Sequence, residues 1–183
     1  AEGPILIAIY IDDTLCVGSQ KAVDELMKDI AKHFSTKEEG TMMEYVGCEV
    51  RRTNRKSLSM CQTQLIQKLQ RIFGEQVKHL SRQETPAPTG FSVMRCTEPN
   101  ELISLENQRM YRSGVGILLF LVKYSRPDIS NAVRELSKAN DGATKLHLKC
   151  LMRTIKYVLD SKDMSLEYRI GNKIDYEGTW KIK

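Results

Sequence analysis

The chain has 183 residues, of which 41% are hydrophobic and 28% are charged, and its formal net charge is +5. This composition is typical of a soluble globular protein with one large or two small domains. The apolar run at residues 5–11 has no basic flank and ends at Asp12, and the run at residues 115–122 is too short for a bilayer. Neither run therefore predicts a signal peptide or a membrane span, and we expect both to lie in a core.

The charge is distributed unevenly along the chain. Residues 1–50 hold 4 Lys/Arg and 10 Asp/Glu, a net charge of −6, whereas residues 51–82 hold 8 and 1, a net charge of +7. An acidic segment followed by a basic one is expected where the first carries metal ligands and the second meets a phosphate backbone. A solvated basic face explains the basic segment equally well from composition alone.

The five cysteines are scattered along the chain without a C-x-x-C pair, and together with the three histidines they form no standard zinc-binding pattern. Such an odd, dispersed set is typical of reduced thiols rather than of disulfides or a structural zinc site. We therefore predict free thiols with structural roles and an intracellular, reducing compartment.

The first predicted elements are a hairpin and a helix. Residues 5–11 form a strand rich in β-branched residues, and residues 15–17 form its short return, with Asp12 to Thr14 at the turn between them. Ser19 is a suitable N-cap for a helix whose apolar positions continue to Phe34.

A second hairpin and a second helix follow. Residues 43–51 and 58–61 are predicted strands around a polar turn, and a helix then opens at Gln62. Lys68 and Arg71 lie off the apolar face of this helix. The candidates for phosphate contact in this region are Arg51, Arg52, Arg55, Lys56, Lys68, Arg71 and Lys78.

The rest of the chain is predicted to be mainly helical. Residues 81–105 contain several prolines and no sustained period, and are predicted to be a long connecting loop. Helices are predicted over residues 108–123, from Pro127 onward, and over residues 144–160, and a strand over residues 166–170. The predicted fold class is α+β.

Three features of the helical part are interpreted as structural. The Arg-Pro-Asp sequence at residues 126–128 is interpreted as a helix start rather than a substrate contact, because proline and aspartate stabilise the first turn. Gly114 and Gly116 lack the preceding strand of a phosphate-binding loop and indicate close helix packing. Tyr111 is interpreted as a core residue.

The adjacent Asp12 and Asp13 are the strongest chemical feature of the sequence. A single aspartate at a hairpin tip needs no function, but adjacent carboxylates repel, and the usual Asn-Gly or Asp-Gly turn is missing. A divalent cation such as Mg²⁺, which prefers carboxylate oxygens, removes this repulsion. Two such ions can stabilise the attacking and leaving oxygens in nucleotidyl transfer. A bare Asp-Asp dipeptide is nevertheless a weak motif for metal binding.

The sequence Tyr10-Ile11-Asp12-Asp13, between apolar strands, resembles the Y-x-D-D motif of reverse transcriptases. Further motifs occur in the order found in copia-type long-terminal-repeat retrotransposon polyproteins, so the resemblance covers nearly the whole chain. They are YVGCEV at residues 45–50, LSMCQ at residues 58–62, Thr85-Pro86, YRSGVG at residues 111–116 and SRPDI at residues 125–129.

The resemblance implies a division of the chain into four parts. Residues 1–61 would be the end of the polymerase palm, residues 62–105 the start of the thumb and a connecting loop, and residues 106–165 a helical thumb and connection region. Residues 166–183 would lead toward a ribonuclease H domain.

The resemblance also implies roles for individual residues. Asp12 and Asp13 would be the catalytic carboxylates and ligands of Mg²⁺, or of Mn²⁺ in its place, and Tyr10 would lie near the primer terminus. The implied partners are an RNA or DNA template-primer, a deoxynucleoside triphosphate and other parts of the same polyprotein. The implied locations are a cytoplasmic particle and the nucleus.

Two departures from the family pattern limit what is expected of these 183 residues. A third catalytic aspartate on an upstream palm strand and the first ribonuclease H aspartate are not among them, so we expect weak metal binding and no polymerisation by this chain alone. The alternative is a basic nucleic-acid- or protein-binding domain without metal chemistry. An upstream strand bearing the aspartate in the parent reading frame would favour the polymerase, and a start codon in its place would favour the binding domain.

Overall fold

A computed structural model of the chain describes residues 3–11, 13–37, 40, 43–54, 56–96 and 98–169. These residues form helices and antiparallel hairpins, which confirms the predicted α+β class. The chain divides into two compact units, Ala1–Val50 and Arg51–Lys183. The assignment of residue ranges to palm, thumb and connection stays a prediction.

The first unit begins with an antiparallel hairpin of strands β1 (Leu6–Tyr10) and β2 (Asp13–Val17). Tyr10 pairs with Asp13 and Ile9 with Thr14, so the turn between the strands has only two residues. The predicted turn was therefore too long, because Asp13 and Thr14 already belong to β2. A tight turn of this kind is possible because Ile11 adopts a left-handed backbone conformation, with φ of 52°.

The hairpin leaves its apolar side chains in solvent. Leu6 and Ile9 are 71% and 72% exposed, so the prediction that this run lies in a core was wrong. In the described part of the chain, β1 and β2 form a two-stranded sheet, and the pairing of two strands satisfies backbone groups without covering either face. The β-branched composition therefore predicted the strand correctly but not its burial.

Helix α1 (Gln20–Ala31) follows, and the predicted cap is confirmed because Ser19 Oγ accepts a hydrogen bond from the Ala22 amide at 3.3 Å. Lys32 caps the C-terminal end of the helix, where its amide donates to the Asp29 carbonyl and the next amide, of His33, donates to the Ile30 carbonyl. Phe34, which the periodicity placed in the helix, lies beyond this end and is 68% exposed. Apolar residues thus recur at helical spacing as far as Phe34, although the helix itself has already ended at Ala31.

The predicted strand over residues 43–51 is interrupted. Strand β3 (Glu44–Tyr45) turns at Val46 and Gly47 into strand β4 (Cys48–Asn54), with Tyr45 opposite Cys48. Both turn residues have positive φ, 51° and 69°. Glycine adopts this conformation readily, so Gly47 permits a reversal where the alternating pattern indicated one continuous strand.

The second unit contains the end of β4, strand β5 (Ser57–Cys61) and strand β6 (Leu166–Arg169), which pairs antiparallel with β5. The predicted strand near residue 166 is confirmed, whereas Trp180 lies outside the described residues. The register places Arg169 opposite Ser57, more than a hundred residues away in sequence. The sequence did not predict this pairing.

Four helices complete the second unit. They are α2 (Thr63–Val77), α3 (Leu105–Tyr124), α4 (Ser130–Ser137) and α5 (Lys145–Asp160). Their apolar faces form one core, in which Phe73, Leu118 and Ile155 are fully buried. The apolar run at residues 115–122 lies on α3 and supplies much of this core, as predicted.

Two predicted packing residues occupy this core. A Cβ atom at Gly114 would lie 3.0 Å from Leu151 and 3.1 Å from Phe73, so α3 approaches its neighbours closely at this point. Tyr111 is fully buried and donates its hydroxyl hydrogen to the Leu136 carbonyl at 2.7 Å. Both predictions are confirmed, but the one for Gly116 was wrong, because nothing lies within 4 Å of its Cβ position. It faces away from the core.

The helix start at residues 126–128 is also confirmed. Pro127–Ile129 form a 3-10 turn that leads directly into α4. Arg126 is 1% exposed and donates two hydrogen bonds of 2.9 Å to the Asp128 carboxylate and two more, of 3.1 and 2.8 Å, to Ser161. A buried guanidinium with four partners ties the start of α4 to the end of α5.

Two further expectations are met by the described residues. All five cysteines are free thiols. Among the helices that the structure describes, none has the length and apolar character needed to cross a membrane.

Candidate metal hairpin and nucleic-acid interface

The tip of the β1–β2 hairpin carries the predicted metal ligands. Tyr10 ends β1 and Asp13 opens β2, and the two residues are opposite each other in the register. The structure describes the backbone of these two residues, while Asp12 lies outside the described residues. The hairpin therefore places Tyr10 opposite Asp13, and the side-chain geometry of Tyr10, Asp12 and Asp13 stays a prediction.

The backbone at Ile11 is strained. A φ of 52° is uncommon for any residue except glycine and is a genuine outlier for a β-branched one, at a cost of about 1–2 kcal/mol. Ile11 is also 82% exposed, so no burial of its side chain offsets this cost. Strain of this kind concentrates at functional sites, where the backbone conformation serves something other than stability.

The donor chemistry of the hairpin fits a hard divalent cation. Two successive carboxylates supply oxygen ligands, and such ligands suit Mg²⁺, which retains several waters when bound to one or two carboxylates. Within the described residues, which omit Asp12, no cluster of three or more His, Cys, Asp and Glu side chains could hold a metal ion. The aspartate pair therefore stays the predicted metal site.

The predicted phosphate contacts around the second hairpin lie in the second unit. Arg51 and Arg52 are exposed neighbours on β4, so they point to opposite faces of the strand. Lys56 is exposed in the following turn, where its amide donates to Asn54 Oδ1 at 2.8 Å. Arg55 lies outside the described residues. The hairpin thus presents cations on both faces.

The predicted contacts on the next helix lie on its solvent side. Lys68 and Arg71 are exposed and three residues apart on α2, so they lie on one helix face, away from the buried Leu69 and Phe73. Lys78 follows the end of α2 and pairs with Glu75 at 3.5 Å, with both side chains exposed. Exposed ion pairs of this kind contribute little, so Lys78 can exchange its partner for a phosphate.

Sequence reasoning missed one cation at this surface. Arg169 on β6 lines a concavity together with Arg52 and Lys56. Arg169 belongs to the strand that the sequence predicted at residues 166–170. The sequence of so short a strand does not specify which other strand it pairs with, so the position of Arg169 beside Arg52 and Lys56 was not predicted. A pairing across more than a hundred residues is set by the tertiary fold.

The carboxylates with perturbed pKa values lie elsewhere, among the helices. Burial alone would raise the pKa of Asp128, but the hydrogen bonds and charge of Arg126 outweigh it and lower this pKa overall. Hydrogen bonds from the Lys138 ammonium and the Val93 amide lower the pKa of Glu135 to about 2. Glu135 is 5% exposed and joins the connecting loop to α4 through Val93. Both groups have structural partners, which accounts for their titration without a catalytic role.

Comparisons with known proteins match this chain to retrotransposon proteins. It is 27% identical to the putative transposon Ty5-1 protein of Saccharomyces cerevisiae over 175 residues, which are 95% of this chain and 55% of that protein. It is 27% identical to the retrovirus-related Pol polyprotein from transposon TNT 1-94 of Nicotiana tabacum, over 84% of this chain and 12% of the polyprotein. The corresponding polyprotein from transposon RE1 of Arabidopsis thaliana is 26% identical over 93% of this chain and 11% of its own length.

The chain is similar to retrotransposon polyproteins over most of its length. It spans about half of the yeast relative and about a tenth of each plant polyprotein. No family model matches the chain. No solved structure matches it either. The retrotransposon part of the sequence-based resemblance is therefore confirmed, and the enzymatic activity stays a prediction.

Proposed function

We propose that this chain is part of the RNA-directed DNA polymerase of a copia-type retrotransposon. The observation that carries the proposal is the Tyr-Ile-Asp-Asp sequence where β1 ends and β2 begins, with a strained backbone at Ile11, in a chain similar to retrotransposon Pol polyproteins. The established part is the likeness to these polyproteins. The polymerase reaction, its metal ions and its nucleic-acid substrates are the proposal.

Asp12 and Asp13 would hold Mg²⁺, which Mn²⁺ could replace, and Tyr10 would lie near the primer terminus. When bound, the metal lowers the pKa of the primer 3′-hydroxyl and stabilises the charge on the transferred phosphate of the deoxynucleoside triphosphate. The protein's own contribution is to hold Asp13 at a paired strand end, where the ladder with Tyr10 fixes its backbone, with Asp12 directly before it in the sequence.

The cations of the second unit would hold the template-primer. Residues 51–82 carry a net charge of +7, and the described cations among them are exposed on β4, in the turn after it, on α2 and just beyond the end of α2. Each phosphate that such cations neutralise releases counterions, so binding of this kind weakens steeply with salt. Arg51, Arg52, Arg55, Lys56, Lys68, Arg71 and Lys78 are the proposed contacts.

Other parts of the same polyprotein are proposed to cover the exposed apolar hairpin. Leu6, Ile9 and Val17 are all more than half exposed, and exposed apolar side chains clustered on one sheet are typical of an interaction surface. The relatives carry far more chain than these 183 residues, which supplies candidate partners. A third catalytic carboxylate would have to come from such a partner segment.

Primer extension on poly(rA)·oligo(dT) tests the proposal. The experiment compares this chain with a longer one that includes the preceding segment of the parent reading frame, each with Mg²⁺ and with Mn²⁺. We expect extension by the longer chain and none by this one, because the resemblance places a third aspartate upstream of the hairpin. Duplex binding is measured on both chains in parallel.

If neither chain extends the primer, the polymerase proposal is contradicted. If salt-sensitive duplex binding survives in that case, the second candidate, a basic nucleic-acid-binding domain without metal chemistry, is favoured by the charge of the second unit. Absence of both activities would contradict both candidates. The two readouts therefore separate the metal hairpin from the basic surface.

A further inference from the structure

Strands β4, β5 and β6 border a concavity of about 250 Å³. Among the described residues, its charged lining consists of Arg52 from β4, Lys56 from the turn and Arg169 from β6, and none of these described lining residues is a carboxylate. Asn54 and Ser57 add an amide and a hydroxyl. Cations from the β4–β5 hairpin and from β6, more than a hundred residues later in the chain, thus converge on one small space.

The fold holds these groups in place through backbone pairing. Ser57 opposes Arg169 in the β5–β6 register, which brings the β6 cation to the hairpin end. The Lys56 amide donates to Asn54 Oδ1 at 2.8 Å, which fixes the turn between β4 and β5. Backbone pairing therefore brings the chain positions of Arg52, Lys56 and Arg169 close together.

The residues that line the concavity indicate the chemical class of ligand that it would bind. Three cations and a hydroxyl donor suit an anion, and guanidinium groups match the oxygens of a phosphate with paired hydrogen bonds. Pockets for whole small molecules usually enclose about 300–1,000 Å³, so a space of about 250 Å³ suits a smaller group. A single phosphate has this chemistry.

The surroundings favour a polymer over a free phosphate. Exposed cations continue outside the concavity, with Arg51 on β4 and Lys68 and Arg71 on the helix that follows β5. A small anion needs only one cluster of cations, whereas a nucleic-acid backbone meets a cation at each successive phosphate. This argument rests on the nucleic-acid interface of the proposed function.

We propose that Arg52, Lys56 and Arg169 together bind one backbone phosphate of a nucleic acid, and that Glu167 competes with this phosphate for Arg169. Glu167 Oε2 accepts hydrogen bonds of 2.6 and 3.1 Å from the Arg169 guanidinium. Both side chains are more than half exposed, so the pair is weak enough to exchange. Arg169 leaves Glu167 when a phosphate enters the concavity.

The salt dependence of binding tests the shared contact. A fluorescent RNA·DNA hybrid is titrated with the 183-residue chain between about 50 and about 200 mM KCl, where each phosphate contact contributes about 0.9 to the slope of log K against log salt. The triple variant Arg52→Ala, Lys56→Ala, Arg169→Ala loses one phosphate contact, so its slope decreases by about one. Three independent contacts would decrease it by about three, and either that result or an unchanged slope would overturn the inference.

Removing the competitor provides a second test that does not depend on losing cations. Glu167→Gln frees Arg169 and tightens hybrid binding by about two- to fivefold at low salt. Glu84→Gln is the matched control, because Arg82 and Glu84 form a similarly exposed pair two residues apart, with a 3.1 Å contact, away from the concavity. If the two variants tighten hybrid binding equally, the effect comes from the change in net charge alone, and a specific site at the concavity is contradicted.

The outcomes also separate this inference from the proposed function. If the unaltered chain does not bind the hybrid, the nucleic-acid role fails and the phosphate contact fails with it. If the unaltered chain binds with a salt-dependent affinity that the variants do not change, only the phosphate contact is overturned. If inorganic phosphate at the same ionic strength releases the hybrid from the unaltered chain but not from the triple variant, the phosphate chemistry of the site is supported.

Discussion

The β1–β2 hairpin and helix α3 each contain an apolar run, at residues 5–11 and 115–122, yet the two runs differ in burial. Leu6 and Ile9 of the hairpin are 71% and 72% exposed, whereas Leu118 and Leu121 of α3 are fully buried. α3 packs against α2, α4 and α5, which the same unit supplies, while the hairpin pairs only with itself in the described part of the chain. An apolar segment is therefore buried only where other elements of the described chain pack against it. The helices of the second unit do so for α3, and no described element does so for the hairpin.

Leucine truncations test this difference most strongly. Leu118→Ala removes a fully buried side chain from the helical core and is expected to lower the free energy of unfolding by about 2–5 kcal/mol. Leu6→Ala removes a side chain that is already mostly in solvent, so its effect is expected to stay within about 0.5 kcal/mol. Urea unfolding followed by far-ultraviolet circular dichroism measures both. Equal losses would show that the hairpin is packed in solution.

The two glycines of α3 sharpen the account of its packing. Gly114→Ala places a methyl group 3.0 Å from Leu151 and 3.1 Å from Phe73, so we expect a destabilisation of about 1–3 kcal/mol. Gly116→Ala meets nothing within 4 Å and improves helix propensity, so we expect a stabilisation of about 0.5–1 kcal/mol. The midpoint of thermal unfolding shows whether each substitution stabilises or destabilises the protein. Stabilisation by both substitutions would refute the close approach at Gly114.

Acid should destabilise the second unit through Glu135. Because its folded pKa is lowered to about 2, Glu135 stabilises the fold above its ordinary pKa of about 4.5, and this stabilisation is lost as the pH falls toward about 2. Unfolding midpoints measured between about pH 6 and pH 2 are expected to decrease less steeply in Glu135→Gln than in the unaltered chain. Glu106→Gln, at an exposed position of α3, is the control and should retain the steep decrease.

Relief of backbone strain at the hairpin tip should have the smallest effect. Asparagine tolerates the left-handed conformation that Ile11 adopts, so Ile11→Asn is expected to stabilise the turn by about 0.5–1 kcal/mol. Slower amide hydrogen exchange in β1 and β2 measures this gain, because local opening of the hairpin becomes rarer. Val17→Asn, at the other end of the same ladder, serves as the control. Faster exchange in Ile11→Asn would contradict strain at Ile11.

Most elements were predictable from local sequence, because their determinants are local. Ser19 caps α1, Pro127 begins the turn into α4, and the periodicity of α2 separates buried Leu69 from exposed Lys68. The errors arose where backbone geometry overrides pattern. The reversal at Val46 and Gly47 splits a strand that alternation alone would continue.

The candidate site also has one part that local sequence predicted and one part that it did not. The aspartate pair and the hairpin cations were visible as motifs in contiguous sequence. Arg169 was missed because the pairing of β6 with β5 depends on the whole helical unit that lies between them in the chain. The exposure of the hairpin was also unpredictable, since burial depends on partners that a strand's own sequence does not specify.

The hairpin carboxylates are proposed to hold the metal of a nucleotidyl transfer reaction, and Asp12→Asn in the chain that includes the preceding segment tests this role most directly. We expect incorporation on poly(rA)·oligo(dT) to decrease by more than about 100-fold, since losing a ligand exceeds the usual effect of losing a residue that only orients one. Duplex affinity should stay nearly unchanged. Asp24→Asn, which removes a carboxylate from exposed α1, should leave incorporation intact. If Asp12→Asn retains the turnover of the unaltered chain, the metal role of the hairpin is refuted.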